Sequence, residues 1–283
     1  MISDQQKKII QKLVEHMLPD SYTIFEQLNL SRFLQVEYTS ELEELMNGFD
    51  HLTERILKTA NSAWYTDEPA TTLSECFLKL GSKDFFSSVL SAAINEAVGD
   101  EQKSRAMWIH IDLCSRFAEF LSMRIAPELT EDAFLIGCFH DMGVGLCEAR
   151  LENYRYFARE ALLNDPGIPA FEKKAYSINH CYLSAELARR WGFSPLVQNV
   201  VAHHHDRNDA NLGGHREYKH LCVHVLCEYL YQISSSPYDP VPNESLDDIL
   251  DWCAPVLEIQ KGALKKILDD ILEMQAMRQS MAI

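Results

Sequence analysis

Nine of the eleven histidines in this 283-residue chain stand between positions 110 and 224, well above an even scatter. Imidazole ligates zinc, iron, nickel and copper, and a carboxylate beside it adds charge and can bridge two ions. His140 and Asp141 are adjacent, closing the apolar run Phe134-Leu135-Ile136-Gly137-Cys138-Phe139 just before Met142-Gly143. Burying such a pair is costly unless a metal or hydrogen bonds match it. The dipeptide alone reads first as a hydrogen-bonded core histidine oriented by its neighbouring aspartate. His110 follows Trp108-Ile109 at helical spacing from Leu113, Phe117, Phe120 and Leu121, so its ring can face inwards. His180 opens the segment 178–191, and His204 and His205 close the run Val197, Val200, Val201. Taken singly, each also fits a hydrogen-bonded core or surface histidine, and His203, His215, His220 and His224 carry no further signal.

The elements that must position these side chains read as helices. From Glu41 the apolar residues Leu42, Leu45, Met46, Phe49, Leu52, Ile56, Leu57 and Ala60 recur every three or four positions, which predicts a helix ending before Asn61-Ser62-Ala63-Trp64-Tyr65. Thr72 or Ser74 can cap the next one. Gly81-Ser82-Lys83-Asp84 reads as one helix stop and the next start; without neighbouring glycines or a strand it is no phosphate loop. Further helical patterns cover 108–125, 131–138, 154–163, 178–191, 195–203 and 218–233. The breaks fall at 164–169, 206–217 and the Ser/Pro-rich 234–242. Trp64 and Tyr65 are expected in the core. The fold class is therefore all-α, a multi-helix bundle divided into an N-terminal part (1–99), a core carrying the histidines (100–236) and a C-terminal extension (237–283). That extension holds nine acids and three lysines over 239–273 and predicts a solvated acidic tail.

Composition narrows the function classes. Glycine (11) and proline (10) are scarce against usual shares of about 7% and 5%. Such a chain has few turns and can bury a substantial core. A net charge of −16, with no basic run longer than two residues, argues against nucleic acid and anionic lipid as partners. No apolar run approaches the length of a membrane span, and residues 1–8 show no signal-peptide core. The eight cysteines form no C-x-x-C pair, and reduced thiols in a cytoplasm are the expectation.

Several segments, taken together and in order, resemble the HDOD family. These are Leu52 to Ala60 leading into Asn61-Ser62-Ala63-Trp64-Tyr65; Leu73, Leu78 and Leu80-Gly81 followed by a hydrophobic helix; Trp108-Ile109-His110; the run Ala133 to Gly143 with its His140-Asp141; His180 with Leu187 and Trp191-Gly192-Phe193-Ser194-Pro195; and His204-His205-Asp206. The similarity spans about residues 20 to 235. HDOD proteins are related to the all-helical HD phosphohydrolases and to the HD-GYP cyclic-dinucleotide phosphodiesterases. The resemblance implies an HD-type helical core and, position by position, the metal ligands His110, His140, Asp141, His180, His204 and His205. One or two divalent transition metals (iron, manganese, nickel or zinc) would be the cofactor. Asp141 would bridge them, with His110 and His140 on one side and His180, His204 and His205 on the other.

Such a centre can activate water towards a phosphorus ester. Three departures bear on that activity. Cys227 stands where the family's late metal-binding aspartate falls, with Glu228 one residue away and turned by about 100° on a helix. Val144 replaces a lysine, and Arg207-Asn208-Asp209-Ala210-Asn211 contains no Gly-Tyr-Pro loop. The resemblance thus implies a cytoplasmic, bacterial-type signal-transduction regulator with a metal-binding centre, acting through a signalling protein partner or a small phosphorylated ligand. The alternative is a metal-dependent phosphohydrolase or phosphodiesterase acting on a nucleotide-like phosphate ester, with Asp141 as the catalytic residue.

Overall fold

A computed structural model describes residues 4–17, 44, 46, 50–61, 68–98, 101–154, 168–207, 212–235 and 245–281. Within them the chain is all-α, with no strand. The order is α1 (Asp4–Met17), α2 (Asp50–Ala60), α3 (Leu73–Val98), α4 (Glu101–Ile125), a 3-10 turn (Pro127–Leu129), α5 (Thr130–Phe139), α6 (Met142–Arg150), α7 (Ile168–Tyr176), α8 (His180–Arg190), α9 (Pro195–Ala202), α10 (His215–Ser235), α11 (Leu246–Val256) and α12 (Lys261–Met281).

Local chemistry sets several of these boundaries. Thr72 and Glu75 exchange hydrogen bonds at the start of α3: the Glu75 amide donates to Thr72 Oγ1 at 3.2 Å and the Thr72 amide to Glu75 Oε2 at 3.1 Å. This reciprocal cap satisfies two otherwise unpaired amides. Gly81 lies inside α3 at φ +73°, so the helix breaks and restarts there, as the Gly-Ser-Lys-Asp turn predicts. Asn61 is tied to Ala70, its amide group donating to the Ala70 carbonyl at 2.8 Å and accepting from the Ala70 amide at 2.7 Å. The first residue of the Asn61-to-Tyr65 motif is therefore a structural clamp; Trp64 and Tyr65 lie outside the described residues, as do 155–163 of the helix expected over 154–163.

Two apolar cores form. The first joins α1, α2, α3, α6, α8 and α9 with part of α5, around Leu52, Phe85, Phe86, Phe139, Leu183, Trp191 and Val200. The second joins α4, α10, α11 and α12, around Phe117, Leu121, Leu226, Leu230, Leu250 and Leu264. The C-terminal segment is thus helical and acidic on its outer side but not a free tail. Leu250, Cys253, Leu257, Leu264, Leu268 and Ile271 bury one face of α11 and α12 in the second core. The count of acids concealed this spacing, which is amphipathic. Helices α4 and α5 lie against each other between the cores, and α10, in the second core, also touches α5 and α9. The histidine-rich segments meet at this junction.

Candidate metal centre

Two helix ends present histidines by the same device. At the end of α5 the His140 ring donates from Nδ1 to the Gly137 carbonyl (3.0 Å), and after α9 the His204 ring donates from Nδ1 to the Val201 carbonyl (2.7 Å). Each ring satisfies one of the carbonyls left over where a helix stops, and its Nε2 is thereby turned towards the centre. His180, at the start of α8, is held differently. Glu172 of α7 is fully buried and accepts from His180 Nδ1 at 2.7 Å, from the His180 amide at 2.9 Å and from the Tyr154 hydroxyl. This carboxylate–histidine pair again turns Nε2 towards the centre, where Cys181 Sγ and Asp141 Oδ1 lie 3.5 and 3.4 Å away.

Close backbone contact brings these ends together. A Cβ on Gly137 would stand 2.5 Å from Ser115 Cα, so α5 lies against the backbone of α4. A Cβ on Gly143 would overlap the His180 carbonyl oxygen, and the Gly143 amide donates to Ser184 Oγ at 2.8 Å. The glycines flanking His140-Asp141 are thus the points where α5 touches α4 and α6 touches α8. Trp191 and Phe193 pack on Phe139, with ring centroids 5.3 and 4.6 Å away, and fix the end of α5.

The side chains fall into two lobes. In the first, His110 Nε2 and His140 Nε2 are 2.8 Å apart, and Glu228 Oε1 is 3.4 and 3.2 Å from them. Cys114 donates from Sγ to Glu228 Oε1 at 3.3 Å. The second contains His180, Cys181, His204 and His205, whose donor atoms all lie within 4.8 Å of one another. Asp141 stands between. Its Oδ2 is 3.2 Å from His110 Nε2 and 3.5 Å from His140 Nε2, while its Oδ1 is 3.4 Å from His180 Nε2 and 3.5 Å from His204 Nε2. An aspartate at the start of a helix commonly caps it; Asp141 makes no such bond to α6 and faces the histidines instead.

All six residues that the sequence singles out are therefore brought together, with His205 at the exposed rim. His203, by contrast, donates to the Asn199 carbonyl, and His215 faces Glu258 at the surface. Glu228 corrects the sequence reading. It faces the cluster, whereas Cys227 is buried in the second core. The register of α10 decides this: His224 and Glu228, four residues apart, share a face, and the His224 ring lies 4.6 Å from that of His140. His220, His224 and Glu228 at four-residue steps were the available signal. Glu172, Cys114 and Cys181 were also missed.

The electrostatics are those of a cluster rich in donors. Burial disfavours charge on Asp141 and Glu228, yet His140 and His110 beside them hold both carboxyls well below the usual range. Conversely, burial opposes protonation of His140, but Asp141 and Glu228 raise it to about 10. Burial likewise opposes the Cys181 thiolate, while His180 and His204 bring the thiol down to about 6. Protons on the imidazoles thus balance the carboxylates, a part that a divalent cation can take. Asp141 Oδ1, His204 Nε2 and both ring nitrogens of His224 are buried without a hydrogen bond. Orphaned donor atoms of this kind around an aspartate and several imidazoles fit a metal.

The HDOD domain model matches residues 34–207. Among solved structures, an HDOD domain protein of unknown function from Geobacter sulfurreducens aligns with a TM-score of 0.64 and 15% identity, over 95% of this chain and 97% of that one. A candidate phosphohydrolase from Shewanella amazonensis SB2B aligns at 0.57 and 19%, over 94% and 97%. A candidate signal-transduction protein from Marinobacter aquaeolei VT8 aligns at 0.66 and 15%, over 94% of this chain and 58% of that one. These likenesses are likenesses of fold. No curated protein matches in sequence. Among the described residues no helix is long and apolar enough to cross a membrane.

Proposed function

The chain belongs to the HDOD family, and from that premise we propose that it is a signal-transduction protein whose central cluster binds one or two divalent transition-metal ions. His110, His140, Asp141, His180, His204 and His205 are the proposed ligands, with iron, manganese, nickel and zinc all compatible with their chemistry. The observation that carries this reading is the pair of buried donor atoms on proposed ligands that make no hydrogen bond, Asp141 Oδ1 and His204 Nε2. Divalent metal supplies there the positive charge that the carboxylates lack and a Lewis acid for a phosphate oxygen.

The chain's own residues do the rest. Glu172 fixes the tautomer of His180, the two helix-end carbonyls fix those of His140 and His204, and Asp141 joins the lobes. The side chains of Asp141 and Glu228 are 23% and 29% exposed, and His205 is exposed, so the centre opens on one side. A small phosphorylated ligand or the surface of a signalling partner meets the centre at this edge.

Glu228 favours a second reading, hydrolysis of a nucleotide-like phosphate ester. It supplies to the first lobe the late carboxylate that Cys227, at the matching sequence position, does not. Val144, packed against the first core, still stands where HD-GYP proteins carry lysine. Elemental analysis of protein reconstituted with divalent metal tests the main proposal. At least about one equivalent is expected, and less than about a tenth overturns it. Cleavage of a generic phosphodiester that is lost in Asp141→Ala supports the enzyme; equal background rates in both proteins leave the regulator.

A further inference from the structure

Building on the reading that the cluster binds metal, we propose that Cys181 is a thiolate ligand and that the second lobe, with one cysteine and three histidines, is a site for a thiophilic divalent ion of the zinc kind. Cys181 Sγ lies 3.5 Å from His180 Nε2, and both lie within 4.8 Å of donor atoms on His204 and His205. The side chain is inside the protein, at 2% exposure. Its backbone needs nothing from the sulfur, because Asn179 Oδ1 already accepts from the Cys181 amide at 2.7 Å. His204 Nε2, buried in the same lobe, makes no hydrogen bond, so the thiol does not stand there alone. Three nitrogens and one sulfur, with Asp141 Oδ1 3.4 Å from His180 Nε2, are donors of the kinds that zinc takes.

The first lobe also has a cysteine, but in another role. Cys114 donates its proton to Glu228 Oε1 at 3.3 Å, and Glu228 Oε1 in turn lies 3.2 Å from His140 Nε2. As that donor the sulfur orients the carboxylate, and His110, His140 and Glu228 beside it are nitrogen and oxygen donors. A soft sulfur in one lobe and a hard oxygen in the other make the two halves prefer different ions. When the second lobe fills, the Cys181 proton passes to solvent as the sulfur–metal bond forms.

Cobalt(II) is the probe, since bound thiolate gives it a near-ultraviolet charge-transfer band that nitrogen and oxygen ligands do not. Metal-free full-length protein is titrated with cobalt(II), as wild type, Cys181→Ser and Cys114→Ser. A band in the wild type that survives in Cys114→Ser and is lost in Cys181→Ser supports the proposal. Cobalt bound without the band, or a band lost in Cys114→Ser instead, overturns it and leaves metal binding intact. No cobalt bound by the wild type overturns both readings. If Cys181→Ser does not fold, the wild-type band and its survival in Cys114→Ser decide. Cys181→Ser is expected to weaken zinc binding about 10- to 100-fold and manganese binding less than about threefold; equal losses overturn the preference.

Discussion

The two lobes are built from different amounts of chain. The second draws on residues 172–205, a continuous stretch in which α7, α8 and α9 pack on the first core. The first draws on α4, on the end of α5 and on α10, so its donors at 110, 140 and 228 meet only when both cores are in place. The second is therefore a local site, and the first is a joint between two packed bodies. Asp141 belongs to both, with one carboxylate oxygen facing each. Its difference from every other ligand is that its loss cannot be confined to one side.

That difference orders the expected effects. Asp141→Asn should cost the most, lowering affinity for zinc and manganese by more than about 100-fold, as judged against the 10- to 100-fold losses seen for outer partners alone. Equilibrium titration of the metal-free protein reads this, and a variant that retains either ion at wild-type affinity breaks the bridging picture. Glu228→Gln and Glu172→Gln should separate the lobes. Glu228→Gln removes an oxygen donor of the first lobe and should weaken manganese more than zinc; Glu172→Gln leaves His180 without its buried carboxylate and should do the reverse. About 10- to 100-fold on the affected ion is expected in each. Equal losses of both ions in both variants would mean that the lobes are one site.

The two glycines test the same contrast through the backbone. Gly137→Ala drives a methyl group into Ser115, where α5 meets α4, and Gly143→Ala drives one into the His180 carbonyl, where α6 meets α8. Relief requires helices to move apart, so each should lower stability by about 1–3 kcal/mol, read by urea unfolding. Gly137→Ala should separate His110 from His140, and Gly143→Ala should displace His180. Metal affinity measured on each folded variant should therefore fall on opposite sides of the pair.

The legibility of the site follows the same division. The ligands His110, His140, Asp141, His180, His204 and His205 were legible through the ordered resemblance to the HDOD family, since taken singly each also fits a hydrogen-bonded core or surface residue. Glu228 was visible only as a member of the stripe His220, His224, Glu228, and the choice between it and Cys227 depends on which face of α10 meets the second core. The position of that face is set by Leu226, Leu230 and the partners contributed by α11 and α12, whose own apolar spacing was hidden by their acids. Glu172 could not be found by spacing, because a lone glutamate between Phe171 and Lys173-Lys174 reads as surface. It is buried because His180 and Tyr154 satisfy it. The helices themselves were largely legible, since the shortage of glycine and proline left few alternatives.

His220 gives the smallest effect and marks where the cluster ends. It lies one turn before His224 on α10 and is buried, yet its nearest carboxylate is Asp132, 3.8 Å away, rather than Asp141 or Glu228. Burial, with help from Arg216, lowers it to about 4, against about 6.5 in an unfolded chain. The native state therefore keeps the ring neutral while the unfolded state takes up a proton, so stability is present above pH 6.5 and is lost as the pH falls towards 4. Between pH 7 and 5.5 the loss should be about 1 kcal/mol. His220→Leu should reduce the acid slope by that share, in urea unfolding of the metal-free protein, with His205 and His224, also lowered by burial, keeping the rest, while leaving zinc and manganese affinities within about twofold. An unchanged slope refutes a neutral His220, and a variant that loses metal extends the first lobe one turn further along α10.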